Sequence, residues 1–241
     1  MIRRVEKTYG KVFTYLKLFV NPFKKAVIHT ECQIHKMINF QALEILKNDG
    51  HLDAHAFFSD YAANLNEGVV WADQDFKSSG HFYNPSSGKG LYGNKNALTL
   101  AREYYAAALE YFHAGENETS MFYLGAAVHL VQDMTIPQHA NIRLLGNHRQ
   151  FENFIKRTYL YTPKFYVYRG GYYVDSIDEA IKCNARVAIK IYSRLNSIED
   201  SKKRYYSISK FCLPLAQKTT AGALLRFYRD TAKRRYNPSV P

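Results

Sequence analysis

Apolar residues recur three and four positions apart along most of the chain, with few β-branched alternations, and that period marks helices that bury one face. It predicts helices over residues 34–47, 52–65, 96–113, 119–133, 150–159, 177–195 and 209–229. Glycine, proline, serine and asparagine cluster at Asn48-Asp49-Gly50, across the long stretch 72–95 and at 141–147, where the chain is expected to loop. One small hairpin is expected near 164–174, because Gly170-Gly171 separates the aromatic runs Phe165-Tyr166-Val167-Tyr168 and Tyr172-Tyr173-Val174. The pattern reads as an all-α, single-domain multi-helix bundle. A loop as long as 72–95 inside a compact helical domain is usually functional.

Composition sharpens this picture. With 241 residues, 46% hydrophobic and 15% aromatic, the chain can bury a core, which excludes disorder. The most apolar N-terminal stretch, 12–20, is short and contains Lys17, so no membrane-spanning helix is expected. Residues 1–28 form a basic N-terminal segment that lacks the long apolar run and small-residue end of a secretory leader. It is either a leader or a stretch that lies on an anionic surface, ahead of a folded domain over 29–241. Lys and Arg number 33 against 21 Asp and Glu, a net charge of +12, which favours an anionic partner such as phospholipid headgroups, nucleic acid or phosphate esters. The three cysteines, Cys32, Cys183 and Cys212, are too few for a disulfide framework, and their odd number leaves at least one unpaired within the chain.

The placement of histidines beside carboxylates carries the chemical information. His129 and Asp133 are four apart near the end of an apolar helix, so both project from one face, and Pro137 stops the chain before His139. His148 and Glu152 repeat the spacing at the start of the next helix. In the long loop, Asp73 and His81 offer another carboxylate and imidazole on irregular backbone. Neutral imidazole and carboxylate are ligands that zinc prefers, and clustering them on facing helices is how metal sites are built inside bundles. A buried Asp133 would otherwise cost several kcal/mol of desolvation, so a metal or a strong partner is expected.

These residues resemble the bacterial zinc-dependent phospholipases C over most of the chain. The likeness rests on Gly68-Val69-Val70-Trp71-Ala72-Asp73, on His81-Phe82-Tyr83-Asn84-Pro85, and on Phe122-Tyr123-Leu124-Gly125-Ala126-Ala127-Val128-His129. It continues through Asp133-Met134-Thr135-Ile136-Pro137-Gln138-His139 and from His148 to Glu152-Asn153-Phe154. Upstream, His35 with Asn39 and Ala42-Leu43-Glu44 is similar to the family's first helix, and Lys218-Thr219-Thr220-Ala221-Gly222 to its last. The ordered series His35, Asp73, His81, His129, Asp133, His139, His148, Glu152 is highly specific.

The resemblance implies two or three zinc ions per chain. One would be held by Asp73, His81, His129 and Asp133, and a second by His139, His148 and Glu152. The family's third ion uses the first-helix histidine, here His35, a bridging carboxylate, here Asp133, and the amino group and carbonyl of an N-terminal tryptophan exposed by processing. The one tryptophan here is Trp71, so His29, Glu31, Cys32 or a trimmed terminus would have to supply the missing donor. The implied activity is hydrolysis of the glycerol-side phosphodiester of a phospholipid, giving diacylglycerol and a phosphorylated headgroup, with Asp73 as candidate general base. Relatives act outside the cell, so a secreted or membrane-associated protein with a phospholipid surface as its substrate is expected. Gln74 and Ser78 stand where choline-lipid relatives carry aromatics, so the headgroup does not follow from the resemblance, and Phe76 and Tyr83 are the nearby aromatic alternatives.

Two other functions remain open at this point. A related zinc-dependent single-strand nuclease or 3′-nucleotidase would share the helical core and take nucleic acid as partner, although Glu152 and His81-Phe82-Tyr83-Asn84-Pro85 favour the phospholipase. A catalytically silent zinc-containing protein that docks on membranes is the third. His51 and His55 have metal-like spacing but read as an exposed first turn, and His113 as a helix-terminal base.

Overall fold

The computed structural model describes residues 32–74, 79–91, 95–142 and 148–232, and the basic segment 1–28 lies outside them. The helices are α1 (Gln33–Asn48), α2 (Leu52–Asp60), α3 (Ala62–Asp73), α4 (Ala97–Ala114), α5 (Asn117–Asp133), α6 (Pro137–Ala140), α7 (His148–Thr158), α8 (Ile177–Leu195) and α9 (Ser201–Asp230). Two 3₁₀ turns, Tyr159–Tyr161 and Pro163–Phe165, follow α7. Among the described residues no helix is long and apolar enough to cross a membrane.

Local chemistry sets the helix ends. Asn96 and Thr99 bond each other's backbone in a capping box at the start of α4, and Gly115 closes that helix in a left-handed turn. Ser176 caps α8 by accepting from the Glu179 N–H, and Asp200 caps α9 by accepting from the Lys203 N–H. The Asp200 cap explains why α9 begins at Ser201 instead of near 209. Ile136, extended ahead of Pro137, separates α5 from the single turn of α6.

Helix α5 lies at the centre. Every residue from Leu124 to Asp133 is buried, which no single amphipathic face would require. It packs closely on α3 and α4, while α9 lies against α1 and α8. The approach of α3 to α5 depends on two glycines. A Cβ on Gly68 would overlap the carbonyl oxygen of Phe122, and one on Gly125 would overlap that of Leu65. The main core joins α1 to α5 with α8 and the end of α9, and a second cluster around Phe151, Phe165 and Cys212 fixes α7 against α9.

Three expectations are corrected. The helix expected over 52–65 breaks at Tyr61, and the next helix runs on to Asp73, so the long loop begins at Gln74 and Asp73 is a helix-terminal residue. Within that loop, Asn84 and Lys89 form an isolated bridge around the turn at Pro85–Gly88. The hairpin expected near 164–174 is absent, and the described residues contain no strand. The backbone there bonds to other elements instead of to itself. Val167 bonds to the side chains of Gln41 and Gln217, Tyr168 accepts from Asn48, Gly170 and Gly171 donate to Asp49, and Tyr172 donates to the Lys218 carbonyl. With those groups satisfied, no cross-strand ladder is needed.

Candidate metal centre

Five helices and one loop deliver their chemical groups to a single region. His35 lies in the first turn of α1, and Asp73 is the last residue of α3. His129 and Asp133 close α5, His139 sits in α6, and His148 and Glu152 occupy the first turns of α7. His81 comes from the loop after α3, which is strapped to α6 in both directions: Tyr83 N donates to the His139 carbonyl at 3.3 Å, and His139 Nδ1 donates to the His81 carbonyl at 3.1 Å.

Asp133 is the hub. Its Oδ2 lies 2.8 Å from His81 Nδ1 and 3.2 Å from His129 Nε2, and its Oδ1 lies 3.6 Å from His35 Nε2. The rings of His35 and His129 stack with centroids 4.2 Å apart. Asp73 meets His81 and His129, with one ligand atom from each within 4.8 Å of the others. A second constellation lies alongside. His148 Nε2 is 2.9 Å from His139 Nε2 and 3.1 Å from Glu152 Oε1. The structure thus brings all eight candidate residues together in three groups able to hold a metal ion: His35, His129 and Asp133; Asp73, His81 and His129; His139, His148 and Glu152.

The donor geometry suits cations better than it suits internal pairing. A backbone carbonyl can only accept, so His139 Nδ1 carries the hydrogen and its Nε2 presents a lone pair toward His148. Asp133 Oδ2 is buried close to two imidazole nitrogens, yet among the described residues it has no hydrogen bond of adequate geometry, and neither has His129 Nδ1. An unpaired buried carboxylate oxygen is costly, and a cation beside Asp133 Oδ2 removes the cost. Imidazole and carboxylate in this proportion are the ligand types of zinc, so the residues present fit such an ion.

Electrostatics fit the same picture. Burial alone would push the Asp133 carboxyl up, but the imidazoles around it, His129 first, outweigh that and hold it well below the usual carboxylate range. Burial and the neighbouring His129 bring His35 down to about 4, and burial also lowers His139, which keeps both neutral at pH 7. His148 and Glu152 stabilise each other's charged forms: each is opposed by burial, yet His148 is raised and Glu152 lowered.

Sequence reasoning missed the polar support behind His35. Gln132 Oε1 lies 2.8 Å from His35 Nδ1, Gln132 Nε2 donates to Asn39 Oδ1 at 2.8 Å, and Asn39 donates to Asn66 at 3.0 Å. The available signal was a glutamine in the otherwise apolar run that precedes Asp133. The other candidates lie apart from this region. His51 stands at the N-cap position of α2 without a side-chain capping bond and meets Tyr173 edge to face, His55 bonds Ser59, and His113 is an exposed residue of the last turn of α4. Tyr83 is buried at 5% exposure, so it presents no face to a headgroup, while Phe76, Ser78, His29 and Glu31 lie outside the described residues.

A family profile described as zinc dependent phospholipase C matches residues 34–212. The chain belongs to the zinc dependent phospholipase C family. The match spans all eight residues of the centre. Among curated members, the chain is similar to the phospholipase C of Listeria monocytogenes, 25% identical over 221 residues, covering 84% of this chain and 75% of that one. The phospholipase C of Clostridium novyi is 23% identical over 235 residues, covering 83% of this chain and 59% of its own length. That of Bacillus cereus is 29% identical over 136 residues, covering 50% of this chain and 48% of its own. The chain thus spans about half to three quarters of the length of these relatives. Among solved structures, the alpha toxin from Clostridium absonum superposes with a TM-score of 0.73 at 21% identity, covering 86% of this chain and 65% of the toxin. At that identity the likeness carries the all-α fold.

Proposed function

We propose that the chain is a zinc-dependent phospholipase C that hydrolyses the glycerol-side phosphodiester of phospholipids, with residues 29–241 as its catalytic domain. The observation that carries this reading is the meeting of three donor groups around one buried carboxylate, Asp133, in a chain of this family. In the proposed arrangement Asp73, His81, His129 and Asp133 hold one ion, His139, His148 and Glu152 a second, and His35 with the bridging Asp133 a third. Bound zinc would neutralise the non-bridging phosphate oxygens and lower the pKa of a coordinated water toward ~7.

The chain's own residues divide into a floor and a rim. The side chains of His81, His129, Asp133 and His139 are all at most 7% exposed and fix the donors rigidly. Asp73 is half-buried, and the side chains of His35 and Glu152 are 21% and 44% exposed, so the phosphodiester approaches from their side. Asp73, at the end of a helix pinned through Gly68, is placed to orient the attacking water and accept its proton. The departing glycerol oxygen takes a proton from solvent. A net charge of +12 favours adsorption to anionic lipid, in keeping with a secreted or membrane-associated protein.

The test is headgroup release from mixed phosphatidylcholine, phosphatidylethanolamine and phosphatidylglycerol vesicles, with single-stranded DNA in parallel and a chelated control. Release of phosphorylated headgroup that chelator abolishes and zinc restores, with DNA intact, is the expected result. Cleavage of DNA in place of lipid would assign a nuclease, and retention of zinc without either reaction would assign a silent membrane-binding protein. Both outcomes overturn the proposal.

A further inference from the structure

We propose that residues 159–173 form a docking strap for an anionic bilayer surface, with the metal centre at its edge. The choice of a bilayer as partner rests on the reading of the neighbouring centre as a phospholipase. From Asn153 to Val174 the sequence holds eight aromatic residues and four cations but no aspartate or glutamate, in a chain that has 21 of these acids. Most of this run follows α7 and lies over α1 and α9. Its buried side chains Tyr159 and Phe165 belong to the second hydrophobic cluster, and its backbone is held by Gln41, Asn48, Asp49, Gln217 and Lys218. The outward side chains therefore stand on a fixed support, so docking forfeits little conformational entropy.

Those outward side chains are of the two kinds that a bilayer surface selects. Leu160, Tyr161, Tyr168 and Tyr172 are between 54% and 83% exposed. Single exposed apolar residues are ordinary, but four on one short strap mark an interaction surface. A tyrosine ring with its hydroxyl suits the boundary between headgroups and acyl chains. Lys156, Arg157, Lys164 and Arg169 are exposed, and among the described residues none of them is in an ion pair. Cations left unpaired beside amphipathic side chains attract lipid phosphates while the apolar parts enter the interface. Asp49 meets the strap, but its carboxylate oxygens are taken by Gly170, Gly171 and Tyr173. Lys156 stands one turn after Glu152 on α7, so a bilayer resting on the strap brings lipid phosphates to the Glu152 rim of the centre. Single-stranded nucleic acid would also meet cations and rings, but Leu160 offers nothing to a stacked base and gains from entry among acyl chains.

Flotation of the full chain with vesicles tests the surface without reading catalysis. Vesicles of phosphatidylcholine mixed with phosphatidylglycerol are compared with phosphatidylcholine alone, over a time too short for headgroup release, and the mixed vesicles are expected to bind more chain. A cation at an anionic surface is worth about fivefold in binding, so Lys164→Gln/Arg169→Gln is expected to bind the mixed vesicles roughly 25-fold more weakly. Leu160→Ser/Tyr161→Ser should lose about tenfold. Arg186→Gln/Lys190→Gln removes the same charge from α8 and should bind nearly as the unaltered chain does. All six positions are exposed, so the variants are expected to keep the fold. Equal loss in the α8 pair and the strap pair would mean adsorption by net charge alone and would overturn the proposal. So would unaltered binding in both strap variants, or a single-stranded oligonucleotide whose binding falls in them while vesicle binding holds. A chain that floats through the strap yet releases no headgroup with zinc present would overturn the phospholipase and leave the docking surface standing.

Discussion

Gln132 holds His35 from behind: its Oε1 lies 2.8 Å from His35 Nδ1, on the opposite side of the imidazole from Asp133. An acceptor on Nδ1 keeps the hydrogen there and leaves Nε2 as the lone pair that faces the carboxylate. Gln132 is itself fixed, because its amide nitrogen donates to Asn39, which donates in turn to Asn66.

Replacing Gln132 with leucine keeps the volume and removes both contacts. Loss of a hydrogen-bond partner behind a metal ligand typically lowers affinity about 10–100-fold, and a change of that size is expected in zinc competition against a chromogenic chelator. Asn39 loses a donor at the same time, which should cost about 1–3 kcal/mol in urea unfolding. Wild-type zinc affinity in Gln132→Leu would show that His35 needs no such support.

The α3–α5 contact predicts a coupling between packing and the metal centre. In Gly68→Ala or Gly125→Ala the added methyl meets a backbone carbonyl, which cannot move aside as a side chain can. Each variant is expected to lose about 3 kcal/mol of stability and to retain less metal, because Asp73 on α3 is displaced from His129 on α5. Gly115→Ala supplies the comparison. Its backbone sits at φ 84° with open space around the position, so it should cost about 1–2 kcal/mol from the left-handed conformation alone and leave the metal content unchanged. Equal metal retention in all three variants would contradict the coupling.

These relationships also mark where the sequence was legible. The three-and-four period exposed most helices, since amphipathic faces repeat locally, and the i,i+4 spacing placed His129 with Asp133 and His148 with Glu152 on common faces. The break at Tyr61 carries no glycine or proline, so nothing local announced it. The aromatic run around Gly170-Gly171 looked like a hairpin because its residues favour strands. Asp49, Gln41, Gln217 and Lys218, all distant in sequence, take up its backbone groups instead. Gln132 and Asn39 escaped notice for the same reason: their roles exist only once α1, α3 and α5 are packed together.

Asp49 turns that long-range clasp into a pH-dependent contribution. Slight burial pushes its carboxyl up, but hydrogen bonds from the Tyr173 hydroxyl and the Gly170 and Gly171 N–H groups outweigh it and lower the pKa from 3.8. A carboxyl with a depressed folded-state pKa stabilises the fold fully above its unfolded value, about 3.9, and loses that contribution as pH falls through the folded value. Asp49→Asn keeps the shape but gives up the charge and one acceptor oxygen. The variant should therefore unfold at lower urea than wild type at pH 7, and the gap between the two midpoints should narrow as the pH approaches 3. Most of the other acids titrate alike in both proteins, so the difference isolates this residue. A gap that stays constant from pH 7 to 3 would mean that the clasp works through shape alone and that the charge on Asp49 adds nothing to holding residues 170–173 against the end of α1.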